Sequence, residues 1–181
     1  MKISIYTIAI ETFVPMLRSL SNLLDQAAEH ARASKSDSNA LVNARLAPDM
    51  YTLAQQVQLA CDHAKDSTAR LRGEDPPRFE NNEKTLEELK ARIATTIDYV
   101  QSEGAAAFEG AENRDIRIPI PAMNGEFQMD GFQFLRDWAI PHFYFHVVTA
   151  YDILRHRGVE IGKRDYLSSV GKYIRQRSDP A

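Results

Sequence analysis

The chain has 181 residues, 44% of them hydrophobic and 26% charged, with a formal net charge of −3. That length suits one domain with a full core, spanning residues 1–181, and the balance of charge lacks the basic excess of a nucleic-acid binder. No apolar run approaches the ~20 residues of a membrane span, and the single cysteine, Cys61, excludes an internal disulfide.

The first helical period runs from Ile3 to about Ala33 and puts Phe13, Leu17, Leu20, Leu24 and Ala27 on one face. Pro15 marks either a kink inside this helix or a late start. Glu11 interrupts the apolar N-terminal stretch and no small-residue cleavage site follows, which argues against a signal peptide and for a soluble, cytoplasmic protein. The helix should end in the polar loop "SKSDSN".

A second helix is expected to open at Pro48, a favoured first position, with Asp49 complementing the helix dipole. Its stripe of Leu53, Val57, Cys61, Ala64 and Leu71 makes the cysteine a buried, inert thiol. Gly73 and "DPP" stop it. The third helix begins at the capping box Thr85-Leu-Glu-Glu88 and continues through Leu89, Ile93, Ile97 and Val100.

Between Asp115 and Met129 the period changes to two. Ile116, Ile118 and Ile120 alternate with Arg117, Pro119 and Pro121, and Asn124-Gly125 predicts a type I′ hairpin turn before Phe127 and Met129. The prolines confine this ribbon to an edge. The last long helix, Gly131 to His156, presents Leu135, Trp138, His142, Phe145, His146, Thr149 and Ile153 on one face and leaves Tyr144 and Tyr151 pointing outward. Gly158 stands where a left-handed C-terminal cap is expected, and the basic "GKRDYLSSVGKYIRQR" beyond it reads as a solvated tail. Four such helices and one ribbon predict an all-α fold: a four-helix bundle with a β-hairpin in the long connection before the last helix.

His142 and His146 carry the functional reading. Residues four apart on a helix lie one turn above each other, so both imidazoles can reach one ion at about 2.0–2.1 Å. A stable centre needs a third ligand from another helix. His156 lies nearly three turns further along the same helix, and His30 sits beside a loop. His63, in the middle of the second helix, is the best third candidate although it falls on the flank of the apolar stripe, where Gln56 or a water is an alternative. The metal-free alternative is two core histidines with hydrogen-bonded nitrogens. Gly-rich phosphate loops, nucleophile elbows and paired cysteines are not found.

Three blocks, "NARLAPDMYTLAQQVQLACDHAK", "PPRFENNEKTLEEL" and "FYFHVVTAYDILRHRGVEIGKRDYL", are similar to an uncharacterised domain-of-unknown-function branch of the DinB/YfiT-like metalloenzyme superfamily. The resemblance covers nearly the whole chain. It implies a DinB-like four-helix bundle, a homodimer, and a divalent metal ion, zinc or nickel, held by His142, His146 and a second-helix histidine. The superfamily's second-helix ligand usually stands nearer Gln58 or Leu59, about a turn before His63. Relatives include mycothiol-dependent maleylpyruvate isomerase and bacillithiol transferases, so the resemblance points to hydrolytic or thiol-transferring chemistry on a small-molecule substrate. The competing class is a bundle without metal or catalysis that binds a small apolar ligand or a protein partner.

Overall fold

The computed structural model describes residues 3–175. Four long helices form the bundle: α1 (Ile5–Ser34), α3 (Leu53–Arg72), α4 (Leu86–Val100) and α6 (Ile140–His156). A short α2 (Ser38–Val42) lies between the first two, and α5 (Gly131–Gln133) runs through a π-helical segment, Phe134–Ala139, directly into α6. α1 and α3 both lie against α4 and α6, and they also touch each other across the bundle. Phe13, Leu17, Leu20 and Leu24 of α1 are fully buried, and Phe13 meets Phe143 of α6 edge to face at 5.0 Å. Such an aromatic pair adds about 0.5–1.5 kcal/mol beyond its buried area.

The helix ends follow side-chain chemistry. Ser4 accepts a hydrogen bond from the Thr7 amide to start α1, so Pro15 lies inside a continuous helix rather than before a late start. Thr85 and Glu88 form the expected reciprocal capping box on α4, and Gly73 and Gly158 take the left-handed cap conformations at φ 81° and 87°. The expected start of the second helix at Pro48 is corrected. Thr52 and Gln55 cap each other's backbone at the start of α3, while Pro48 belongs to a turn closed by the Met50 amide on the Ala47 carbonyl. A complete capping box satisfies two orphan donors, whereas a proline at the first position satisfies none, so the box sets the boundary. The polar loop after α1 also contains a helical turn, because Asp37 caps α2 through the Asn39 amide.

The ribbon forms as β1 (Ile116–Ile120) and antiparallel β2 (Gly125–Met129), but its turn differs from the expected one. Gly125 pairs with Ile120, so four residues, Pro121 to Asn124, make the connection, and only Asn124 has a positive φ, of 48°. Pro121 starts a short 3-10 turn that takes up the chain reversal, which leaves Gly125 in ordinary strand geometry. A side chain there would meet only the Met123 carbonyl at 3.8 Å.

Two expectations about the C-terminal third are overturned. Phe145 is 60% exposed, while Phe143 and Val147 are fully buried. Apolar residues occupy positions on both sides of this helix, so periodicity alone cannot choose a face, and the π-helical turn adds a phase shift that a 3.6-residue period does not anticipate. Tyr144 and Tyr151 do not point outward either: both are half-buried, Tyr151 against Tyr166 of α7 (Lys163–Tyr166). The segment read as a solvated tail packs on α1 through a Gln26 to Asp165 hydrogen bond of 3.2 Å and a Ser19–Ser168 contact of 2.7 Å. Its last two residues, Gln176 and Arg177, lie outside the described residues.

Candidate metal centre

Three histidines from two helices meet at the α3–α6 seam. His63 projects from the middle of α3, and its ring lies 4.9 Å from that of His142 and 5.3 Å from that of His146, centroid to centroid. The flank position on the α3 wheel therefore turns inward. His30 and His156 stand apart: His30 lines a separate opening with Glu29 and Glu160, and His156 is exposed at the end of α6. Cys61, two residues before His63 on the same helix, is fully buried, and burial pushes its thiol up to about 12, so it remains a protonated core group as expected.

Two of the rings have a fixed orientation. His142 Nδ1 lies 2.7 Å from the Trp138 carbonyl and His146 Nδ1 lies 2.7 Å from Gln56 Oε1. Both partners are oxygen acceptors, so Nδ1 carries the proton in each ring and Nε2 keeps its lone pair. Gln56 is buried and reaches His146 from α3, one helix across. Its amide oxygen thereby fixes the orientation of the His146 ring. No residue type or spacing in the sequence marks an amide for that task; only the pairing of α3 with α6 brings the two together.

Burial, then the neighbouring imidazoles, lowers His63 to about 4, and burial followed by His142 lowers His146 to about 4. Both rings are therefore neutral near pH 7, the form that donates to a cation. The rings of His142 and His146 lie near-parallel to that of His63, at 27° and 15°. In this arrangement, among the described residues, no group of three or more His, Cys, Asp or Glu side chains is set to hold a metal ion. The donor chemistry fits a borderline-soft divalent cation, while the ring orientations are those of packed imidazoles.

The cluster opens to the surface at a shallow dish of about 430 Å³ bounded by Pro141, His142, Phe145 and His146. Behind His142 lies Trp138, its ring 4.4 Å away, and Trp138 in turn meets Phe127 of the hairpin at 4.9 Å. Pro141, which cannot donate to the helix ladder, and the π-helical turn both fall just ahead of His142. Such turns recur at functional sites. The lining of the dish holds no carboxylate, Lys or Arg, in contrast to the opposite side of α3, where Arg92 joins Asp62 and Glu83 at 2.8 and 2.9 Å.

Residues 5–167 match the family model described as Domain of unknown function (DUF1993). The chain is also similar to the crystal structure of a DinB family member protein from Shewanella denitrificans, with 42% identity, 90% of each chain covered and a TM-score of 0.82. No curated protein matches it. No helix among the described residues is long and apolar enough to cross a membrane.

Proposed function

The chain belongs to the DinB-like domain-of-unknown-function family DUF1993, and from that premise we propose that His63, His142 and His146 form a binding site for one divalent cation, zinc or nickel. The observation that carries this reading is the tautomer pattern: His142 and His146 spend their Nδ1 protons on Trp138 and Gln56 and keep Nε2 free beside His63. Outer hydrogen bonds of this kind orient metal-binding imidazoles and raise their basicity. When bound, the ion would act as a Lewis acid that lowers the pKa of a coordinated water or thiol, which suits hydrolysis or thiol transfer. The protein's own contribution is to keep His63 and His146 neutral, fix two ring orientations, and offer a small-molecule substrate a dish lined by Pro141, Phe145 and imidazoles.

A metal-free reading is favoured by the near-parallel rings, which pack on one another as polar core residues do. In that case the bundle binds a small apolar ligand or a partner and performs no catalysis. Calorimetric titration of untagged protein with zinc separates the two. One equivalent should bind at neutral pH; His142→Ala, His146→Ala and His63→Ala should each abolish stoichiometric binding, and His30→Ala and His156→Ala should bind as the parent does. Absence of uptake at neutral pH, or parent-like affinity in His142→Ala, would leave the metal-free bundle as the better account.

A further inference from the structure

Away from the histidines, a second hollow, of about 600 Å³, lies where the start of α1 meets the segment that follows α4. It shares no lining residue with the dish. Two glycines shape it. Gly110, at a φ of 69°, turns the chain between the 3-10 turns Ala105–Phe108 and Ala111–Asn113. Gly131 opens α5 so close to the Ala111 carbonyl that no side chain fits between them, which sets Phe132 at the rim beside those turns.

The lining combines two chemistries. Ile3, Tyr6, Ile8, Phe108 and Phe132 make apolar walls, and two of them stay in solvent, Ile3 at 73% and Phe132 at 45% exposed. Tyr6 and Phe108 meet edge to face at 5.3 Å. Glu109 and Glu112 are the charged groups of the lining, which holds no Lys, Arg or His. Arg114, the basic residue closest to them in sequence, is turned to the Leu71 and Glu109 carbonyls rather than to either carboxylate. Arg136, over the Phe132 ring at 5.2 Å, is itself paired with Asp137.

Small-molecule sites have this size, apolar walls and a few polar groups that fix orientation. The sign of those groups selects the ligand. A cation is attracted both by carboxylates and by aromatic ring faces. The first amides of α1 place the equivalent of roughly half a positive charge on the facing wall, against two full negative charges from the glutamates, so the balance favours a cation. We propose that this groove binds a small organic ammonium, a cation carried on an aromatic or branched apolar body, with its charge at Glu109 and Glu112 and its body among Tyr6, Phe108 and Phe132. Binding there does not involve the histidines.

Titration of the full chain with benzyltrimethylammonium, followed through the backbone amide resonances of Ala105 and Ala106, tests this. Phenylacetate and benzyl alcohol serve as the anionic and neutral probes. The ammonium should bind saturably and at least about tenfold more tightly than either, with affinity falling as salt is added. Glu109→Gln combined with Glu112→Gln, both at exposed positions, should weaken the ammonium about tenfold and leave benzyl alcohol unchanged. Ala106→Phe, also at an exposed position, should fill the groove and abolish binding of every probe at an unchanged melting temperature. Phenylacetate bound as tightly as the ammonium, or parent affinity in the double glutamine variant, overturns the proposal. The chain has one competing occupant of its own: Lys172 reaches Glu11, one turn of α1 from Ile8, at 3.9 Å, and Tyr173, Ile174 and Arg175 follow it. If the ammonium binds only after these three are replaced by serine, the basic segment and not a small molecule is the occupant, and the proposal fails. Zinc uptake should be the same in all these variants, so failure of this groove and failure of the metal site are read separately.

Discussion

Asp62 and His63 are consecutive residues on α3, and they meet opposite halves of the bundle. On the α4 side, charge is buried and matched: Arg92 bonds Asp62 and Glu83 and also the Glu80 carbonyl, Gln58 donates to Glu83 at 2.8 Å, and Lys65 reaches Asp66 and the Pro77 carbonyl. Phe79 lies between Lys65 and Arg92, which pins the 74–85 connection against the helices. On the α6 side, three imidazoles touch, two of them oriented by outside acceptors and His63 by no hydrogen bond among the described residues. Buried polar groups that satisfy one another serve the fold. Those that leave lone pairs free beside an opening are the ones available to a ligand.

The largest expected effect tests that contrast directly. Arg92→Met leaves Glu83 without its counter-charge and Asp62 with only Lys65, at 3.8 Å, and should cost about 3–5 kcal/mol in urea denaturation. His63→Ala, at a partly exposed position without hydrogen bonds, should cost under about 1.5 kcal/mol without metal. Equal costs would mean that the imidazole side is as structural as the charged side, and the comparison would collapse.

A second difference appears with pH. His63 and His146 are held near 4 in the fold against an ordinary value near 6.5. The unfolded chain therefore binds more protons between those values, so the stability these groups contribute is intact above pH 6.5 and is lost as pH falls toward 4. Glu83 is held below the usual carboxylate range: burial opposes this, and hydrogen bonds from Arg92 and Gln58 outweigh it. Its contribution is lost only at lower pH, as the medium becomes acidic enough to protonate a carboxyl. Melting temperature followed from pH 7 to pH 3 should thus fall first through the imidazole window. His63→Gln combined with His146→Gln should flatten that first limb and leave the second. An unchanged first limb would show that the buried rings are not what the acid attacks.

The smallest effect concerns Gln56. Gln56→Leu keeps the volume and removes the acceptor of the His146 Nδ1 proton, which should cost about 1–2 kcal/mol and weaken zinc binding about 10–100-fold, as loss of an outer hydrogen bond does. A variant with parent stability and zinc affinity would reduce Gln56 to a bystander.

Much of the bundle was legible in the residues themselves. The stripes of α1, α3 and α4, the Thr85–Glu88 box, the glycine caps at Gly73 and Gly158 and the alternating ribbon all follow from local rules of spacing and capping, which act within one or two turns of chain. The spacing of His142 and His146 likewise placed two rings together, because a helix fixes what lies four residues away. Tertiary packing decided the rest. The buried face of α6 went to Phe143 because Phe13 offered it an edge-to-face partner, and Phe145 was left at the surface. His63 joined the pair, and Gln56 oriented His146, only because α3 lies against α6; neither helix carries a signal for the other in its own period. Tyr144 and Tyr151 were covered by a basic segment whose composition suggested solvent, since hydrogen bonds to Gln26 and Ser19 on α1 hold it down. Local sequence sets which residues share a face, and contacts distant along the chain set which face is inside.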